Sequence, residues 1–190
     1  MAGSTSQILA NHPLVRRRSH RAAARPEDTL HTISLLVRNK PGVLVRVSLV
    51  FSRRGYNMES VVVSPDPVHA EFSRMTITSS GDPDTLDQII KQLTKLIDVV
   101  HAIDHTGESA IEIEIALVKL RCTLDNRTEI LQIAEHYKAK VVDFAADSLI
   151  LRVYGESEKL DQFVSLLGPF DIVELVRSGK ILMARGLERT

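Results

Sequence analysis

The sequence predicts an α+β fold in which one βαββαβ unit is written twice. Three observations predict it. Segments with period-2 apolar alternation and segments with a 3.6-residue apolar stripe follow one another as strand, helix, strand, strand, helix, strand, and the series then repeats. Gly107-Glu108-Ser109 interrupts it midway. Each half is roughly 75 residues, room for two helices on one face of a four-stranded antiparallel sheet, the ferredoxin-like arrangement. The expected divisions are a disordered basic tail over 1–30, a first domain over 31–106 and a second over 110–187.

In the first half, His31–Val37 alternates, with Ile33, Leu35 and Val37 on one face and Thr32 and Ser34 opposite. Gly42–Arg54 carries Val43, Leu44, Val47, Val50 and Phe51 on one helical stripe, with Arg46 and Arg53 outside it and Gly55 as the stop. Met58–Ser64 is a β-branched run ended by Pro65 and Pro67, and Phe72–Ser79 alternates again. Asp82 is a helix N-cap with Pro83 at the first helical position, opening a stripe of Leu86, Ile89, Ile90, Leu93, Leu96 and Ile97. Val99–Asp104 closes the unit.

The second half opens on the strand Glu112–Cys122, in which Ile111, Ile113, Ile115 and Leu117 alternate against Glu112 and Glu114. Asp125-Asn126 starts a helix whose stripe is Ile130, Ile133, Ala134 and Tyr137. Lys140–Phe144 and Ser148–Tyr154 form a hairpin around Ala145-Ala146-Asp147. Ser157–Leu167 is a helix with Leu160, Phe163, Val164 and Leu167 inward, and Phe170–Val176 and Ile181–Ala184 close the unit. A unit of this size has a marginal core, so a bare sheet face or an edge strand is expected to meet another surface. In this topology Met58–Ser64 is an edge. Val61, Val62 and Val63 carry no charge to blunt it, which predicts pairing with the same strand of a second chain in a two-fold homodimer.

Formal net charge is zero over 190 residues, but Arg16, Arg17, Arg18, Arg21 and Arg25 crowd the acid-free first 26. The rest holds 19 basic and 24 acidic residues, a net of −5, which argues against a nucleic-acid surface. The Arg-, Ser- and Ala-rich tail fits an unstructured bacterial extension, an organelle transit peptide or, lacking aromatics, least well a nucleic-acid arm. No apolar run approaches the ~20 residues that span a bilayer. Cys122 is the only cysteine, so no intramolecular disulfide forms, and its apolar surroundings predict a buried small hydrophobe. A reducing cytoplasmic compartment is expected, or an organelle stroma or matrix if the tail is a transit peptide.

Nothing reads as a catalytic centre. His31, His69, His101, His105 and His136 are scattered, and His101 and His105 sit on strand and turn, so no metal site is expected. Asp98, Asp104, Glu108, Glu112 and Glu114 read as solvated carboxylates, and Arg53-Arg54 as solvated surface, with contact to the acidic face of a partner as the alternative. There is no G-x-S-x-G, P-loop or G-x-G-x-x-G.

The chemistry concentrates at Asn39-Lys40-Pro41-Gly42-Val43-Leu44, a strand-to-helix turn. Pro41 has no N–H, so the donors at the helix start are Gly42, Val43 and Leu44, at the positive end of the helix dipole. Asn39 adds an amide that accepts from an ammonium or donates to a carboxylate. Carboxylate and ammonium together describe an α-amino acid, and the Leu, Val and Met surroundings an aliphatic one. Asn57 is the second polar candidate, and edge pairing would carry it from one chain to the turn of the other. The plain alternative is that Asn39 caps the helix and Asn57 holds a left-handed turn. In the second unit, Thr123-Leu124-Asp125-Asn126-Arg127 lacks Pro-Gly, so no equivalent site is expected there.

The run from Asn39 to Leu44, with Phe51-Ser52-Arg53-Arg54-Gly55-Tyr56-Asn57-Met58-Glu59-Ser60, resembles an ACT domain, and most closely the small regulatory subunits of acetolactate synthase. The likeness continues through Ser73–Ile77, Lys91–Val99, Glu112–Lys119, Ala139–Asp143, Val176–Gly179 and Ala184–Gly186, covering about residues 31–187. It implies a non-catalytic chain without cofactor, bound to a large catalytic subunit that carries thiamine diphosphate, Mg and FAD and joins pyruvate units. It implies stimulation of that subunit and feedback inhibition by valine in branched-chain amino-acid biosynthesis. It places the effector at an ACT–ACT dimer interface, on Asn39, Pro41, Gly42, Val43 and Leu44 of one chain with Asn57 and Met58 of the next. Glu71-Phe72 departs from the pattern, standing where small residues are common. A free-standing tandem ACT sensor of another enzyme or of transcription is the alternative, and the choice among valine, leucine and isoleucine stays open.

Overall fold

The computed structural model describes residues 29–108, 110–187 and 190. The tail expected over 1–30 therefore lies outside the described residues, except that Thr29 and Leu30 already belong to the first strand. By contacts, the described residues of Arg25–Glu112 and Gly179–Thr190 make one compact unit and Ile113–Ser178 the other.

The first unit runs β1 (Thr29–Arg38), α1 (Val43–Arg53), β2 (Ser60–Pro65), β3 (Phe72–Gly81), α2 (Pro83–Leu93) and β4 (Val99–Asp104). Its antiparallel sheet has the order β2-β3-β1-β4, so β2 is an edge strand. Ile33, Leu35 and Val37 of β1 and Met75 and Ile77 of β3 meet Val43, Val47, Val50 and Phe51 of α1 and Leu86, Ile89 and Leu93 of α2 in one core. Asp82 caps α2, its carboxylate accepting from the amides of Asp84 and Thr85.

Two apolar residues leave their expected stripes. Leu44 is 46% exposed, because it lies about 100° round the helix from Val43, away from the stripe in which Val47, Val50 and Phe51 follow Val43 at about one and two turns. Ile97 is 86% exposed, because α2 ends at Leu93 and the chain turns before Val99. The face of β1 opposite the helices is also buried, at Thr32 and Ser34. The unit's own chain reaches it. Ser34 Oγ lies 2.8 Å from His105 Nε2, and Lys180 Nζ donates to Thr32 Oγ1 at 3.3 Å and to Glu112 Oε2 at 2.5 Å.

The second unit comprises β5 (Ile111–Arg121), α3 (Leu124–His136), β6 (Lys140–Phe144), β7 (Ser148–Gly155), α4 (Ser157–Leu167) and β8 (Ile172–Arg177), in sheet order β6-β7-β5-β8. The short β9 (Ile181–Met183) that follows falls in the stretch that returns to the first unit. The second unit's core gathers Ala116, Val118, Leu120, Cys122, Ile130, Leu149, Leu151, Val153, Leu160, Phe163 and Leu167. The isoleucine row of β5 points outward: Ile113, Ile115 and Leu117 are 38–41% exposed. The inward register instead begins at Glu114, which is buried and takes Arg177 Nε at 2.8 Å and Ser157 Oγ at 2.5 Å. Glu114, Glu112 and Asp98 are thus paired carboxylates, not the solvated ones expected, since each meets a cation distant in sequence.

Candidate functional site

The turn between β1 and α1 forms because Gly42 takes the left-handed conformation (φ +81°), which a side chain would strain. Its carbonyl accepts from Arg46 N at 3.1 Å. The free donors differ from the expected trio. Val43 N–H reaches Lys40 O at 3.4 Å, and its side chain is in the core. The amides of Gly42, Leu44 and Val45 meet no acceptor among the described residues, and they form the positive mouth of α1.

Asn39 is committed on one side. Its backbone N–H donates to Glu71 O at 2.8 Å and its Nδ2 to Ala70 O at 3.2 Å, so Oδ1 is the part of the amide left for a ligand. These bonds fix the loop 66–71. Asp66 shapes that loop: its carboxylate accepts from Val68 N (2.9 Å), His69 N (3.0 Å) and Arg74 Nε (3.1 Å). The two amides, with the Arg74 charge and hydrogen bond adding to them, hold its pKa below the ordinary carboxylate value.

Arg46, expected outside the apolar stripe, stands beside the turn. Its Nη2 donates to Asp98 Oδ2 at 2.6 Å, and its Nη1 lies 3.4 Å from where a Cβ on Gly42 would sit. The signal available in the sequence was the four-residue step from Gly42 to Arg46; the anchor, Asp98, is invisible from there. A carboxylate at the turn would thus meet backbone donors with a guanidinium nearby.

Asn57 and Met58 lie at the other end of α1, about 16 Å away by its eleven residues. One chain does not bring the two halves of the expected site together. Asn57 is exposed, and with Ser48, Phe51, Ser52, Gly55, Tyr56 and Met58 it lines an open depression of about 430 Å³. Val61 and Val62 of the adjoining β2 are half-buried and Val63 is 46% exposed.

The second unit repeats this geometry 83 positions on, with different chemistry. Arg38 N→Asp98 O (2.8 Å) and Asn39 N→Glu71 O (2.8 Å) have counterparts in Arg121 N→Asp171 O (2.9 Å) and Cys122 N→Asp147 O (2.8 Å). The sheet irregularity at Leu36/Val37 recurs at Lys119/Leu120, and the positive φ of Gly55 recurs at Lys138. In this register buried Cys122 replaces Asn39, Arg127 replaces Leu44 and Lys140 replaces Asn57. The Arg127 guanidinium fills the turn, donating to Ala145 O at 3.1 Å and Ala146 O at 2.6 Å above the Phe144 ring. Asn126 Oδ1 accepts from Thr123 N at 2.8 Å. This turn is closed by its own side chains.

Among the described residues, no group of three His, Cys, Asp or Glu side chains is placed to hold a metal ion, and no helix is long and apolar enough to cross a membrane.

Comparison with known proteins agrees with this architecture. Residues 33–101 match the family model of the AHAS small subunit-like ACT domain, and residues 113–186 that of the small subunit of acetolactate synthase. The chain is 42% identical over 156 residues to a probable acetolactate synthase small subunit of Archaeoglobus fulgidus, covering 82% of this chain and 97% of that one. It is 40% identical to the acetolactate synthase small subunit of Mycolicibacterium smegmatis, over 82% and 91% of the two chains. The crystal structure of the acetolactate synthase small subunit from Thermotoga maritima superposes with a TM-score of 0.76 at 34% identity, covering 84% of this chain and 99% of that one. With both units matched and relatives aligned almost end to end, the chain belongs to the family of acetolactate synthase small subunits.

Proposed function

We propose that this chain is the non-catalytic regulatory subunit of an acetolactate synthase complex in branched-chain amino-acid biosynthesis, stimulating the catalytic subunit and conferring feedback inhibition by valine. The observation that carries the effector reading is the turn at Gly42, with three unpaired amides beside the one open acceptor of Asn39. A carboxylate on the amides of Gly42, Leu44 and Val45 and an ammonium on Asn39 Oδ1 match an α-amino acid in both charge and polarity. Exposed Leu44 offers an apolar surface to its side chain. The second half of the site, Asn57 and Met58, comes from another copy of the chain through antiparallel pairing of β2 along Val61, Val62 and Val63.

In this reading residues 31–106 sense the effector, residues 110–187 have another role, and the large subunit supplies thiamine diphosphate, Mg and FAD and performs the carboligation of pyruvate. Valine then bridges two chains and favours one dimer geometry. A coupling of about 1–3 kcal/mol changes affinity about 5–150-fold, provided valine binds the two geometries unequally.

Calorimetric titration of the full-length chain with valine tests this, beside Asn39→Ala and with leucine as comparison. Saturable heat is expected for the parent. Asn39→Ala removes a hydrogen bond to a charged group, roughly 1.5–3 kcal/mol, so binding should weaken about 10–150-fold. Equal binding in the variant would sink the assignment. Preference for valine over leucine should be modest, since one methylene is worth about 1–3 kcal/mol in an apolar pocket.

A further inference from the structure

Asn57 is exposed, yet the backbone that carries it is tied down by fully buried Ser79 and half-buried Tyr56. Ser79, fully buried on β3, donates its hydroxyl to Asn57 O at 2.8 Å. One residue earlier, Tyr56 lays its ring over Gly81. A Cβ on Gly81 would stand 2.0 Å from Tyr56 Cε1, so only glycine leaves room for that ring. The Tyr56 hydroxyl is engaged twice by the next residue: it accepts from Asp82 N at 2.9 Å and donates to Asp82 O at 3.2 Å. From the other side His31 Nε2, 3.1 Å from Gly81 O, donates to that carbonyl. The corner 55–58 is thus clamped at two successive residues against the end of β3.

A helix stop needs less. The α1 C-terminus is already satisfied by Arg54 N, Gly55 N and Tyr56 N bonding back to Phe51 O and Ser52 O. Burial of a serine hydroxyl carries a desolvation cost that its bond to Asn57 must offset. Both clamps bear on the corner that carries Asn57, an exposed lining residue of the depression.

We propose that Ser79 and Tyr56 are positioning residues that hold Asn57 in the orientation in which it receives an amino-acid effector. The inference rests on the effector reading above. Pre-ordering this corner removes an ordering cost from binding, so losing a clamp shows in affinity.

The test uses full-length chains and an isosteric pair at one position, Ser79→Thr and Ser79→Val. Both add the same bulk, and only threonine keeps the hydroxyl. Valine dissociation constants come from calorimetry and unfolding midpoints from valine-free thermal melts. Ser79→Val is expected to bind valine about tenfold more weakly than Ser79→Thr, and Tyr56→Phe more weakly than the parent, with each loss larger than the midpoint shift accounts for. Equal affinity within the pair, whatever the midpoints do, overturns the positioning role while leaving the effector reading intact. A parent chain that takes up no valine overturns both.

Discussion

Asp66 sets a loop with a single carboxylate. Its pKa is lowered chiefly by the amides of Val68 and His69, with Arg74 assisting. A carboxyl whose folded pKa is depressed stabilises fully above its unfolded value of about 3.9, and that contribution is lost as pH falls through the lower folded value. Protection of the Val68 and His69 amides against hydrogen exchange should therefore hold down to about pH 4 and fail below it. Asp66→Asn removes the charge at every pH. It should speed exchange at both amides at pH 7 and weaken valine binding several-fold, because the loop's Ala70 carbonyl holds Asn39 Nδ2. Unchanged exchange at Val68 and His69 in Asp66→Asn would mean that something other than this carboxylate holds the loop. None of this was legible from Asp66 itself, which reads as an ordinary turn residue between two prolines. Asn39, Gly42 and Asn57 were legible, because their chemistry is local: a turn glycine, a missing proline N–H, an amide at each helix end. Arg46 was not, because its partner Asp98 lies 52 residues away.

At the scale of elements, the strands and helices of the two units follow from apolar period, because most have a buried face to satisfy; β6 is the exception, exposed at all five residues. The failures lie where period meets an end. Ile97 continues a stripe after its helix has stopped, and the isoleucines of β5 form a regular row on the exposed face. Hydropathy favoured that row; the buried pair of Glu114 and Arg177, invisible in sequence, allows the opposite register. Arg177 also pairs with Asp161 of α4, so one guanidinium joins β5, β8 and α4. Arg177→Ala would leave the Glu114 carboxylate buried without its cation, at a cost of about 3–5 kcal/mol. Denaturant unfolding should register that loss, and Arg177→Ala combined with Glu114→Gln should recover part of it. A single substitution costing under about 1 kcal/mol would show that water takes the place of Arg177.

For the whole molecule, the edge strand is the element through which one chain would become two. Natural sheets blunt edges with lysine, so Val63→Lys should turn the proposed dimer into single chains at micromolar concentration in sedimentation velocity and abolish valine binding with it. A dimer that survives this change uses a different surface. The path of the chain carries one more consequence. It leaves the first unit after Glu112 and rejoins it at Gly179, and just there Lys180 Nζ grips Glu112 Oε2 at 2.5 Å. Everything between the two is topologically an insert whose way in and way out are held side by side. Such junctions tolerate exchange of what hangs from them. A short Gly-Ser bridge from Glu112 to Gly179 would yield a minimal sensor closed by its own ionic latch, and a reporter domain with adjacent ends could be spliced into the same gap.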